Sequence, residues 1–65
     1  MIIQEKKIVN KRKEEVNVTL ENQSDAGEHL DRLTCSANDV PVFECYNKTL
    51  AIALTDAYIH FVESH

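Results

Sequence analysis

Between Lys48 and Glu63 the chain carries an apolar pattern at helical spacing that is too wide for one neighbour to cover. Leu50, Leu54, Ala57, Tyr58, Phe61 and Val62 recur at intervals that put them on one continuous helical face, with Asn47 or Thr49 placed to cap its start. Ala51, Ile52, Ile59 and Val62 widen that face well beyond the roughly 100° stripe that covers one sheet. Thr49, Asp56, His60 and Glu63 share what remains, a narrow polar strip. A helix apolar over most of its circumference must be covered on two sides, and a chain of 65 residues has few other elements with which to do so. The pattern therefore predicts a homo-oligomer, with a twofold dimer as the default form, whose interface is made by Ala51, Ile52, Tyr58, Ile59 and Val62. The competing expectation is that the rest of the chain covers that second side within one subunit.

Upstream, Val16 to Glu21 alternates apolar and polar residues with period two and is rich in β-branched side chains, as a half-buried strand requires. Ile2, Ile3, Ile8 and Val9 flank a charged stretch, and the polar tip Asn10 to Glu14 can turn the chain back so that the two runs pair as a hairpin. A helix from Ile3 to Glu15 competes with it, because Gln, Glu, Lys and Arg are good helix formers. Asp25-Ala26-Gly27-Glu28 has capping-box spacing, and Ala26, Leu30 and Leu33 follow at helical intervals, which predicts a short helix. Asn38-Asp39 reads as a turn, and Pro41 pushes Val40 toward extended geometry, so Val40 to Tyr46 reads as a third strand with Pro41 at its start or on an edge. The expectation is a single α+β domain over residues 1–65, in the order ββαβα, with a small antiparallel sheet packed against the C-terminal amphipathic helix.

Charge is divided unevenly along the chain. Its net value is −4, yet residues 1–13 hold Lys6, Lys7, Lys11, Arg12 and Lys13 against Glu5 alone, and residues 14–65 hold Arg32 and Lys48 against ten carboxylates. The basic run can meet an anion or a partner, and the acidic body, through Glu14, Glu15, Glu21, Asp25, Glu28 and Asp31, can meet a basic site on another protein. Nucleic-acid binding through the basic run conflicts with the acidic pI and with the lack of aromatic residues among the lysines.

Two cysteines, Cys35 and Cys45, are too few for a disulfide framework and lack the close Cys-x-x-Cys pairing of a structural zinc site, so they read as buried thiols. Met1 leads into Ile2, Ile3, Gln4 and Glu5 with no basic-then-apolar leader pattern, and no apolar run approaches the length of a membrane span. The expected location is the cytoplasm. Three glycosylation sequons, at Asn17, Asn22 and Asn47, argue the other way.

Catalytic residues are not discernible. Phosphate handling by a glycine-rich turn is excluded by the single Gly27, Ser24, Ser36 and Ser64 show no nucleophile signature, and neither cysteine sits in a basic setting that would lower its pKa. Asp56, His60 and Glu63 share a helical strip, yet no matched third and fourth metal ligand accompanies them. The chain reads as a non-enzymatic protein–protein interaction module without cofactor or metal, acting as a homo-oligomer and suited to an inhibitor or adaptor of a larger protein, as in phages and mobile elements. The alternatives are an oligomer that gathers Lys11, Arg12 and Lys13 from neighbouring subunits around a small nucleotide-like anion, and nucleic-acid binding through the basic segment.

Overall fold

Period-two runs fold as strands here and the 3.6-period run folds as a helix. The computed structural model describes residues 1–23 and 32–65. In chain order the elements are β1 (Ile2–Val9), β2 (Glu15–Asn22), β3 (Leu33–Ala37), β4 (Val40–Cys45) and α1 (Lys48–Glu63). The strands form an antiparallel meander in the order β1-β2-β3-β4, so β1 and β4 are its edges.

Register sorts the side chains between the two faces. Gln4, Leu20, Cys35 and Phe43 form one row, Lys6, Val18, Ala37 and Val40 a second, and Ile8 pairs with Val16 and Leu33 with Cys45 on the same face. The helix α1 lies on this face and contacts all four strands. Leu20, Leu33 and Cys35 are wholly buried beneath it together with Val18, and the helix meets them with Ala51, Thr55, Ile59 and Val62. Those four positions are spaced by four, four and three, which keeps them in one stripe. Asn47 caps the helix, its Oδ1 accepting from the Leu50 amide at 2.9 Å.

Among the described residues, the β1–β2 and β3–β4 turns use left-handed backbone without glycine. In the β1–β2 loop the Lys13 amide donates to the Asn10 carbonyl at 2.9 Å, and Asn10 Oδ1 accepts from the amides of Arg12 and Glu14 at 3.0 and 2.9 Å. Lys13 has φ 64, a conformation that costs a residue with a Cβ about 1 kcal/mol. In the β3–β4 turn Asn38 and Asp39 have φ 50 and 66, the two consecutive left-handed residues of a type I′ turn, whose twist matches that of the strands it joins.

The order is therefore ββββα among the described residues, where the sequence pattern predicts ββαβα. The short helix expected from Asp25 falls on residues outside those described, except for Leu33, which begins β3. Leu33 belongs to two periodicities at once, the helical set with Ala26 and Leu30 and the alternating set with Cys35 and Ala37; pairing with Asn22 and Cys45 puts it in the second. The run Ile3 to Glu15 is a hairpin, the helical alternative losing to strand pairing with β2. Pro41 is the second residue of an edge strand, where a residue without an N–H is tolerated.

Among the described residues, one polar side chain lies in the core. Thr55 is fully buried facing the Cys35 thiol, a weak partner, and its hydroxyl makes no hydrogen bond of sound geometry. Burial pushes the Cys35 thiol up from its ordinary value, while the Thr55 hydroxyl acts in the opposite, smaller sense. The isosteric change Thr55→Val removes a desolvated hydroxyl without opening a cavity, so it should raise the unfolding free energy by about 1 kcal/mol. Urea denaturation checks this; a loss of stability would show that the Thr55–Cys35 contact is worth more than its geometry implies.

Candidate functional site

No internal cavity serves as a site, since the described residues form no pocket. Among them, no three His, Cys, Asp or Glu side chains gather as metal ligands, and no helix is long and apolar enough to cross a membrane. What the fold presents are surfaces, and three are distinct.

The first is the outer flank of α1. Gln4 Nε2 donates to Asp56 Oδ1 at 2.8 Å and Lys6 Nζ pairs with Glu63 at 3.1 Å, which fixes the flank of the helix that overhangs β1. At about 100° per residue, Leu50, Leu54, Ala57 and Phe61 fall on the opposite flank, above β4. They are uncovered: Leu50 is 51 %, Leu54 42 % and Phe61 55 % exposed. Tyr58 and Phe61 stack with centroids 6.3 Å apart, and the Phe61 ring meets His65 at 4.5 Å, so the flank ends in an aromatic group. Val40, 64 % exposed, shares the helix-bearing face on β4. None of the three Lys, Asp or Glu side chains of α1 falls in this strip: Asp56 and Glu63 lie on the other flank, and Lys48 is set well round the helix from Leu50 at about 100° per residue.

The residues expected from the sequence to form a subunit interface are divided differently. Ala51, Ile59 and Val62 are buried against the chain's own sheet, and Ile52 and Tyr58 are partly buried and packed on that core. The large apolar residues of α1 left at the surface are Leu50, Leu54 and Phe61, whose companions in the same continuous face of the pattern, Tyr58 and Val62, are packed on the core. Size explains the division: Ala51 and Thr55 let the helix backbone approach the sheet closely, which a row of Leu50, Leu54 and Phe61 would hold away.

The second surface is the tip of the β1–β2 hairpin. Lys7, Lys11, Arg12 and Lys13 are all exposed, and none forms an ion pair among the described residues. Lys6, grouped with them by sequence, is instead engaged with Glu63. No pocket forms among these cations within one subunit.

The third is the open face of the sheet. Register places Glu5 in a row with Thr19 and Ser36, Glu21 with Thr34 and Glu44, and Glu15 opposite Val9. Glu15 and Glu21 are thus joined by Glu5 and Glu44, which residue spacing alone does not connect. Glu14 lies in the hairpin loop, within 3.4 Å of the Asn10 side chain. Asp25, Glu28 and Asp31, the remaining members of the expected acidic surface, lie outside the described residues.

Comparison with protein-family models, with curated proteins and with solved structures finds no match to the chain.

Proposed function

We propose that this chain is a non-enzymatic protein–protein interaction module that works as a homo-oligomer, a dimer in its simplest form, joined through the outer flank of α1. The observation that carries the reading is the exposure of Leu50, Leu54 and Phe61 in one charge-free strip of so small a domain. Burying such a side chain fully is worth about 1.5 to 3 kcal/mol, a large increment for a chain with little core.

A second copy fits this strip for an electrostatic reason. A twofold contact sets a surface against itself, so any charge in its centre would face its own kind, and this strip has none. Strand addition is a poorer route to self-association. The β1 edge carries Glu5, Lys6 and Lys7, while β4 has Pro41 and a register shift beside it, and each of these discourages edge pairing. The open acidic face, with Glu5, Glu15, Glu21 and Glu44, is then free in the dimer to meet a basic surface on a larger protein, in keeping with an inhibitor or adaptor.

Light scattering behind size exclusion, over a concentration series, tests the reading with the native chain and the double variant Leu54→Asp, Phe61→Asp. Both positions are exposed, so the variant should keep its fold. The expected result is a native dimer and a variant monomer with unchanged circular dichroism. A native chain that stays monomeric throughout the series would overturn the proposal.

A further inference from the structure

We propose that the β1–β2 tip is a second, independent contact site, and that it binds the phosphate backbone of a nucleic acid through Lys7, Lys11, Arg12 and Lys13. The ladder between β2 and β3 ends at the Val18–Ala37 pair, while β1 and β2 continue together through Lys7–Asn17, Ile8–Val16 and Val9–Glu15 to the loop. The loop is thereby carried past the last β2–β3 pair at the end of the β1–β2 hairpin, which is flanked there by the Asn38 side chain of the β3–β4 turn, bonded to Asn17 and Glu15. Four cations on it have no carboxylate partner among the described residues, whereas Lys6, one step nearer the body, has one.

Backbone geometry adds a separate reason. The side chain of Asn10 holds the amides of Arg12 and Glu14, so the cations are presented from a pinned turn and little conformational freedom is lost when they bind. Lys13 occupies a left-handed position that glycine would fill with less strain. Strain of this kind, retained at a charged and exposed tip, points to a use for the ammonium group.

The chemistry favours phosphate over a protein partner. Protein hot spots are built on desolvated aromatic or aliphatic anchors, and the large apolar side chain exposed beside this tip is Val9 alone. Phosphate contacts need only cations and donors, and they orient a protein without reading sequence. The acidic remainder of the chain confines contact to the tip, so binding is weak, non-specific and steeply dependent on salt.

Fluorescence anisotropy of the full chain with a labelled DNA duplex of about 20 base pairs tests this, with salt varied from about 50 to 200 mM. Three to four phosphate contacts predict a slope of log affinity against log salt of about −3, a loss of roughly sixtyfold across that range. The triple variant Lys11→Ala, Arg12→Ala, Lys13→Ala should abolish binding. Lys13→Gly alone should flatten the slope by about one while its melting temperature holds or rises, which separates loss of contact from loss of fold. Absence of salt-dependent binding, an unchanged affinity in the triple variant, or binding to anionic vesicles without binding to the duplex would each overturn the assignment.

Discussion

Ile59→Asp should leave the chain unfolded at room temperature, whereas Phe61→Asp, two residues further along the same helix, should leave it folded. Ile59 is 4 % exposed and belongs to the cluster with Leu20, Leu33 and Val62; Phe61 is more than half exposed on the outer flank. Removing a buried isoleucine side chain costs about 2 to 5 kcal/mol before the charge is considered. A carboxylate left in that environment without a partner adds to the cost or must take up a proton. Against this, 65 residues at about 0.05 to 0.15 kcal/mol each amount to a stability of only about 3 to 10 kcal/mol. Far-UV circular dichroism with urea titration separates the outcomes. A cooperative, native-like transition in Ile59→Asp would mean that this residue faces outward, and that the helix sits on the sheet by the opposite flank.

The second large effect is expected at Asn38. Its backbone is left-handed at φ 50, its Oδ1 accepts from the Asn17 amide at 2.8 Å, and its Nδ2 donates to the Glu15 carbonyl at 3.3 Å. Together with the bond from its own amide to the Asn17 carbonyl, these contacts prolong the β2–β3 ladder by a side chain where the strand itself has turned away. Asn38→Ala loses both side-chain bonds and places a Cβ without local compensation in the left-handed region, which should cost about 2 kcal/mol. Asn38→Gly relieves the backbone but still loses the bonds, so it should cost about half as much. Equal stability of the alanine variant and the native chain would show that the turn is held by the strands and not by this amide.

These two sites show where local pattern was enough and where it was not. The helix is legible from Lys48 to Glu63 because its signals are local: a capping asparagine, no interior glycine or proline, and apolar residues at three- and four-residue spacing. The turn at Asn38-Asp39 is legible for the same reason, since both residue types tolerate left-handed backbone. The strand from Val16 follows from alternation, whereas the hairpin before it competes in the sequence with a helix from Ile3 to Glu15, and pairing with β2 decides between them. In contrast, β3 carries only five residues, and its first leucine also completes a helical pattern, so local spacing cannot choose between the two.

The surfaces divide along the same line. That one flank of α1 must face the sheet follows from its composition, but both flanks are apolar enough to do so. The choice rests on contacts distant in sequence: Gln4 with Asp56, Lys6 with Glu63, and the small side chains of Ala51 and Thr55 against Leu20, Leu33 and Cys35. The acidic open face is likewise a product of register, because Glu5, Glu21 and Glu44 come to one side only when three strands pair in a particular alignment.

By itself, then, the sequence determined the strand character of residues 16–21 and 40–46, the extent of the helix with Asn47 or Thr49 to cap it, the turn at Asn38-Asp39, and the basic character of residues 6–13. Each depends on backbone preferences and side chains within a few positions of one another. Tertiary structure decided the placement of β3, which apolar residues of α1 are buried and which remain for a partner, and the grouping of the carboxylates. Those outcomes depend on close packing between segments far apart in the chain, where a difference of one side chain's volume selects between two faces of nearly equal hydrophobicity.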